Sequence, residues 1–320
     1  MMPGRNNRMV AGLLAVAAAA LWMFAIGGCA PAPTPASASH ANAASGAETV
    51  GAATETATRA AAPAPDAAAL VITGGETFTI ESRVLGETRR INVLVPTVYG
   101  QKIDEAMPVL YMPDGGMDED FLHIAGLVQV LVNNAGIRPH IVVGIENTQR
   151  RRDLTGPTEI EEDKKIAPVV GGSASFRRFL REELMPQVRA RYRTTGEAAI
   201  MGESLAGLFV VECFMREPEL FRSCIAIDPS LWWNAEGLVK EAGARRWRDV
   251  TRRGQERTLV IVCSGEPTIA EPAARMARAM AGSSGVAFEF AQMPEETHAT
   301  IYHPAAIRAL RKALAPPASR

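Results

Sequence analysis

The feature that most constrains the fold of this chain is a series of short apolar runs, separated in most cases by segments long enough to form helices. Runs that are apolar on both faces are typical of strands buried inside a parallel sheet. The chain therefore predicts an open α/β sheet, in which ligands bind at the carboxyl ends of the strands. The predicted strands are 108–112, 140–146, 198–201, 223–227, 258–263 and 286–293.

Two runs of alternating apolar and polar residues precede this series, at 76–83 and 89–95. A link that contains Gly86 joins them, which predicts an antiparallel hairpin. Between and after the buried strands, apolar side chains recur at helical spacing over 173–191, 271–281 and 305–314. We therefore expect one enzyme-sized domain over residues 71–317.

The first 29 residues have the three-part pattern of a secretory signal: Arg5 and Arg8, an apolar run over 10–26, and small residues before Cys29. Residues 26–29, Ile-Gly-Gly-Cys, resemble a bacterial lipobox. This predicts a lipid anchor on Cys29 in the cell envelope, facing the periplasm. Plain cleavage and an uncleaved membrane anchor are the alternatives.

Residues 30–70 are rich in Ala, Pro, Ser and Thr and have almost no branched or aromatic side chains, which predicts a disordered tether. The whole chain of 320 residues has a formal net charge of −1, so nucleic acid is not an expected partner. Cys213, Cys224 and Cys263 lie in apolar runs without metal-ligand spacing. We expect buried thiols, with a Cys213–Cys224 disulfide as the alternative.

A serine between small residues follows the run at 198–201, in the order Gly202-Glu203-Ser204-Leu205-Ala206. A nucleophilic serine on a tight strand-to-helix turn needs such neighbours, because the turn brings backbone segments close together. A helix N-cap serine is the structural alternative. The strand before it and the helical stretch after it favour a nucleophile.

A histidine follows the last predicted strand, within Thr297-His298-Ala299. In α/β-hydrolases the order along the chain is serine, acid, histidine, so we predict His298 as the base, with His303 as its competitor. The acid has three candidates, which we rank Glu266, Glu271 and Asp228. Each of the three also has a structural role open to it, as a loop charge, a helix-terminal charge or a turn cap.

Five blocks now show a family likeness over about 76–315: PVLYMPDGG, VVGIENTQRRRDLTGPT, FRRFLREELMPQVRARYRTT, GESLAGLFVVE and IAIDPSLWWN. Together they resemble the putative-esterase family of α/β-hydrolases, which includes esterase D and the enterochelin esterases. The resemblance implies the α/β-hydrolase fold, with Ser204 as nucleophile and His298 as base. Ala206 departs from the family's glycine. The family's acidic position is offset, which leaves Glu266 by strand alignment or Glu271 by helix alignment.

The resemblance also implies an oxyanion hole made by the backbone amides of Leu205 and Met117, the latter in the loop that contains Gly115 and Gly116. The expected reaction is hydrolysis of a carboxylic ester through an acyl-enzyme, with no metal or organic cofactor. A small-molecule ester is the expected partner, and the membrane is contacted only through the lipid.

Basic and aromatic residues near the predicted binding edge are candidates for substrate contacts. Arg150 and Arg151 follow the strand at 140–146, and Trp232 and Trp233 follow Asp228. A solvated loop and core packing are the respective alternatives. In combination they suit a catecholate or other aromatic ester, as in the siderophore hydrolases of the family. An inactive binding protein and an acyltransferase are the alternative functions.

Overall fold

The computed structural model describes residues 74–244, 257–281, 283 and 285–316. The predicted signal, the lipidation site at Cys29 and the tether at 30–70 lie outside the described residues. The strands are β1 Gly75–Ser82, β2 Glu87–Leu94, β3 Thr97–Val98, β4 Gln101–Lys102, β5 Met107–Pro113, β6 Ile141–Ile145, β7 Thr194–Glu203, β8 Ser223–Ile227, β9 Arg257–Ser264 and β10 Val286–Met293.

Eight of these strands form one sheet in the order β1-β2-β6-β5-β7-β8-β9-β10. β1 pairs with β2, and β2 with β6, in antiparallel fashion, which confirms the predicted hairpin. The other neighbours are parallel. The buried strands follow from the apolar runs, because parallel strands covered by helices need apolar side chains on both faces. This is the α/β-hydrolase fold that the sequence predicts.

The helices are α1 Phe121–Asn133, α2 Arg150–Leu154, α3 Glu161–Lys164, α4 Ser173–Phe179, α5 Met185–Arg191, α6 Leu205–Arg216, α7 Trp233–Ala244, α8 Pro267–Met280 and α9 Tyr302–Ala313. The predicted helix over 173–191 is continuous but contains a π-helical turn at Leu180–Leu184. Pro186 is the second residue after this turn. Because proline has no amide hydrogen and its ring crowds the preceding turn, the regular hydrogen-bond ladder cannot pass through it.

Two apolar clusters cover the two faces of the sheet. On one face the helices from α4 to α8 supply most of the helical side chains, including Phe176, Phe209 and Met276. On the other face α1 and α9 supply them, including Ile124 and Leu310. Both clusters are continuous across the central strands, so β7 and β8 are held rigidly from both sides. The strand ends that carry polar residues are therefore fixed in position.

The strand order reverses between β5 and β7, because the chain passes from β5 to β6 on one side and then to β7 on the other. In open α/β sheets a crevice forms at such a switch point, and ligands bind there. The loop after β5 begins at Asp114 and the turn after β7 begins at Ser204. The topology thus brings the predicted oxyanion loop and the predicted nucleophile to the same crevice.

The backbone at Gly115 lies directly against the end of β6. A Cβ atom at Gly115 would stand 2.2 Å from the amide nitrogen of Ile145 and 2.3 Å from the Cα atom of Gly144. The Gly115 amide donates to the carbonyl of Ile145 at 3.0 Å. Only glycine permits this approach, so the loop after β5 is fixed to the sheet at its first turn.

Cys213, Cys224 and Cys263 are free thiols buried in the core. The prediction of buried cysteines is confirmed, and the alternative Cys213–Cys224 disulfide is wrong. Among the described residues, no helix has the length and apolar character needed to cross a membrane.

Candidate active site

Ser204 occupies a strained turn between β7 and α6, with φ 61° and ψ −122°. Side chains are rarely found in this backbone conformation, and strain of this kind concentrates at functional sites. A Cβ atom at Gly202 would stand 2.6 Å from the Cβ atom of Ala206. The small residues around Ser204 are therefore a steric requirement of the turn, and the methyl group of Ala206 is accommodated because residue 202 is glycine.

His298 lies in the loop between β10 and α9 and reaches the serine hydroxyl. Its Nε2 atom is 3.0 Å from Ser204 Oγ. The competitor, His303, is instead paired with His123 at 2.8 Å on α1. The structure thus brings Ser204 and His298 together and places His303 in another contact.

Asp228 is the carboxylate that contacts the imidazole, which corrects the ranking of the acid candidates. Its Oδ2 atom is 2.6 Å from His298 Nδ1. The side chain is completely buried, and Oδ1 accepts a 2.6 Å hydrogen bond from the amide of Ser264. Asp228 directly follows β8 and has a positive φ of 45°, which turns its carboxylate across the end of the sheet. The order serine, acid, histidine is retained, with the acid one strand earlier than the first-ranked candidate, Glu266.

Glu266 and Glu271, the two candidates ranked above Asp228, have other contacts. Glu266 Oε1 accepts a 2.8 Å hydrogen bond from the backbone amide of His298, so it supports the loop and not the ring. Glu271 is exposed on α8, where it lies 3.5 Å from Arg275 one helical turn later. Neither the strand alignment nor the helix alignment therefore identified the carboxylate that contacts the His298 ring.

The buried carboxylate of Asp228 affects the pKa of His298. The hydrogen bond to Asp228 raises the pKa of His298 against the opposing effect of burial, and the charges of Glu203 and Asp228 raise it further. When the neutral ring holds its proton on Nδ1 and donates it to Asp228, Nε2 is left as the acceptor for the serine hydroxyl. The arrangement can accept a proton from Ser204 and stabilise the imidazolium ion that results.

The predicted oxyanion-hole donors are the backbone amides of Leu205 and Met117. The neighbouring amide of Gly116 is already bonded to Glu119 Oε2 at 2.7 Å. By contrast, neither Leu205 nor Met117 donates its amide hydrogen to another residue in the described part of the chain. Leu205 is also the first residue of α6, where the helix dipole favours negative charge.

The predicted substrate residues have mostly structural contacts. Arg150 forms a two-pronged ion pair with Asp114, at 2.7 and 2.8 Å, and Arg151 donates to the carbonyl of Ile166 at 2.6 Å. Trp233 is buried in the core and its indole N–H donates to Gly156 at 2.9 Å. Trp232 is half-buried and packs against the same core. These contacts show how Arg150 and Trp233 are held, and their roles as anion ligand and pocket wall stay predictions.

Sequence reasoning missed Glu203 and Asp120. Glu203 Oε1 is 3.9 Å from His298 Nδ1. Burial raises the pKa of Glu203 to about 7, and the nearby charges of Asp120 and Asp228 contribute to this rise. Glu203 directly precedes Ser204 in the serine motif, so its position next to the nucleophile could be read from the sequence. The burial and the neighbouring charges that raise its pKa depend on the packing of the crevice and could not.

These contacts define a class of protein: a serine hydrolase with the α/β-hydrolase fold, built on a Ser–His–Asp arrangement. The chain belongs to the family described as "Putative esterase", whose model matches residues 82–303. It is a serine esterase, and the alternative of an inactive binding protein is not supported.

Among curated proteins, the chain is 26% identical to ferri-bacillibactin esterase BesA of Bacillus subtilis over 273 residues, which cover 78% of this chain and 92% of that protein. It is 23% identical to iron(III) salmochelin esterase of Escherichia coli, over 51% of this chain and 37% of that protein. It is 37% identical to siderophore triacetylfusarinine C esterase of Aspergillus fumigatus over 100 residues, 30% of this chain and 32% of that protein.

Solved structures give the same fold. An IroE-like serine hydrolase from Shewanella oneidensis superposes with a TM-score of 0.65 and 27% identity, covering 75% of this chain and 80% of that chain. The BES protein from Bacillus cereus gives a TM-score of 0.69 at 20% identity, covering 79% of this chain and 99% of that chain. At that identity the second likeness supports the fold alone.

Proposed function

We propose that this protein hydrolyses ester bonds of siderophores. The observation that carries the proposal is the hydrogen-bonded series from Ser204 through His298 to Asp228. It stands at the switch point of a sheet that matches siderophore hydrolases in fold. Support for the substrate class comes from the names of the relatives, one of which is matched over 92% of its length.

In the proposed mechanism, His298 removes the hydroxyl proton of Ser204 while the oxygen attacks the ester carbonyl. The buried Asp228 keeps the imidazole in its reactive orientation and stabilises its charged form. His298 then gives the proton to the departing alkoxide, and an acyl-enzyme remains on Ser204. A water molecule, deprotonated by His298 in the same way, attacks the acyl-enzyme and releases the acid.

In this mechanism the negative charge on the carbonyl oxygen would be stabilised by the amides of Leu205 and Met117. A donor of this kind typically lowers the barrier by about 3 kcal/mol. The contact of Gly115 with β6 holds the Met117 loop in place, so the two donors need little rearrangement when the charge develops. Glu266 and Asp228 have separate tasks, because one supports the backbone of the histidine loop and the other supports its ring.

The substrate is tested with the full-length protein and a panel of ferric siderophores that contain backbone esters, both catecholate and hydroxamate types. We expect hydrolysis of at least one of them to linear fragments, detected by mass spectrometry. Pretreatment with a serine-directed organophosphate should abolish it. Turnover of simple p-nitrophenyl esters, with every siderophore ester left intact, would refute the substrate class and leave the esterase activity standing.

We propose in addition that Cys29 is lipidated and anchors the enzyme in the cell envelope. Support comes from the order of Arg5, Arg8, the apolar run and the lipobox-like residues before Cys29. The wild-type protein should then sediment with membranes and incorporate labelled palmitate, and the Cys29→Ser variant should do neither. Equal labelling of both proteins would exclude acylation at this position.

A further inference from the structure

The charges around Ser204 and His298 bear on which esters the crevice accepts. Arg150, Arg151 and Arg152 follow β6 at the binding edge, and three successive arginines would ordinarily indicate an anionic ligand. Arg152, like Arg150, is held by carboxylates of the protein. It donates to Asp153 and Glu87, in each case at 2.7 Å. Arg151 is bonded to a backbone carbonyl. The arginines after β6 therefore stabilise the loop on which they lie.

Carboxylates, in contrast, surround the catalytic histidine. Glu203 lies 3.9 Å from the imidazole and its side chain is 18% exposed. Among the described residues, none donates a hydrogen bond to its carboxylate. Asp120, the residue before α1, is close enough to Glu203 for its charge to raise the pKa of Glu203. Glu266 contacts the backbone of His298. These groups belong to different elements, so their arrangement is a property of the crevice and not of one loop.

The pKa values of two of these groups are raised, mainly by burial and in addition by neighbouring carboxylates. Burial and the nearby charges of Asp114 and Glu119 raise the pKa of Asp120 to about 6. Burial, with Asp120 and Asp228, raises that of Glu203 to about 7. Arg150 lowers the pKa of both groups, and His298 lowers that of Glu203. The charge of Arg150 is already shared with Asp114 in the two-pronged pair. A negatively charged group on a substrate bound beside His298 would be repelled by the same carboxylates.

We propose that the crevice selects esters that are uncharged or positively charged beside the scissile carbonyl, and that Glu203 and Asp120 exclude anionic ones. This rests on the proposed function and specifies its substrate. Ferric complexes of three hydroxamates are neutral, whereas those of three catecholates carry three negative charges. Among siderophore esters the hydroxamate type therefore fits this crevice, contrary to what the run of arginines suggests.

Three p-nitrophenyl esters of similar length test the selectivity on the full-length protein at pH 8, where Glu203 and Asp120 are largely ionised. They are the neutral butyrate, the anionic glutarate half-ester and the cationic 4-(trimethylammonio)butyrate. We expect kcat/KM for the anionic ester to be about ten-fold or more below the neutral one, because like charges a few ångströms apart repel strongly in a partly buried site. The cationic ester should equal or exceed the neutral one, and salt should reduce the differences.

Variants assign the effect to residues. Glu203→Gln and Asp120→Asn, singly and together, should raise the rate on the anionic ester relative to the neutral ester. The ratio is the appropriate readout, because a change in the pKa of His298 affects both substrates equally. Glu105→Gln is the matched control, since it removes the same charge from an exposed position before β5, at the opposite edge of the sheet. It should leave the ratio unchanged.

The outcomes separate the two proposals. If the wild-type protein hydrolyses the anionic ester as fast as the neutral one, the charge selectivity is refuted although the esterase remains. If Glu203→Gln and Asp120→Asn change all three rates by the same factor, these residues do not select substrate. If neither the neutral ester nor any siderophore ester of the panel is hydrolysed, the proposed function itself fails.

Discussion

Replacement of Ser204 by alanine is expected to lower kcat on p-nitrophenyl butyrate by a factor on the order of 10⁶, the loss typical when the nucleophile of a serine hydrolase is removed. Without the hydroxyl, no acyl-enzyme can form, and the remaining rate comes from the oxyanion hole and binding alone. The fold should persist, because serine and alanine both carry a Cβ atom. The strained turn at φ 61° therefore costs each of them a similar amount.

The measurement combines steady-state kinetics with circular dichroism and labelling by a fluorophosphonate probe. Ser175→Ala is the matched control, since Ser175 is exposed on α4. It should keep wild-type kinetics and labelling. Turnover by Ser204→Ala within ten-fold of the wild-type rate would place the nucleophile elsewhere.

The second large effect is expected at Asp228. Asp228→Asn should lower kcat by about 10⁴-fold, because the neutral amide cannot stabilise the imidazolium ion and favours the wrong tautomer of His298. Glu266→Gln should cost less than about ten-fold, since glutamine can still accept the hydrogen bond from the His298 amide. A larger loss for Glu266→Gln than for Asp228→Asn would reverse the assignment of the acid.

The same variants should differ in their dependence on pH. Activity requires neutral His298, so kcat/KM falls as pH decreases through the pKa of this residue. Asp228 holds that pKa above its ordinary value. Without the carboxylate, the imidazole loses its proton at a lower pH, and the acid limb of the residual activity in Asp228→Asn should move to lower pH. The limb should move less in Glu266→Gln.

The strands and the placement of Ser204 beside His298 were predictable because their signals are local. An apolar run, a turn with small residues and a histidine after the last strand can each be read within a few positions of the sequence. The strained backbone at Ser204 also agrees with its neighbours, since Gly202 leaves the room that the turn needs. The local pattern and the packing therefore point to the same residue.

The acid and the substrate contacts were not predictable in this way, because they depend on distances across the sheet. Asp228 lies 70 positions from His298, and its orientation depends on the amide of Ser264. Arg150 lies 36 positions from Asp114, and nothing near it in the sequence indicates that partner. A charged residue at a strand end is thus recognisable, whereas the partner that neutralises it is not.

The buried cysteines bear on how such an enzyme would survive export. Cys213 and Cys224 lie in the core, and burial raises the pKa of both thiols. The thiolate is the form that reacts with oxidants and disulfides, so the folded domain resists oxidation in a compartment that promotes disulfide formation. In the unfolded chain the same thiols lack this protection. If Cys29 directs the protein to the envelope, the folding rate of the domain determines how much of the protein buries these thiols before they form non-native disulfides.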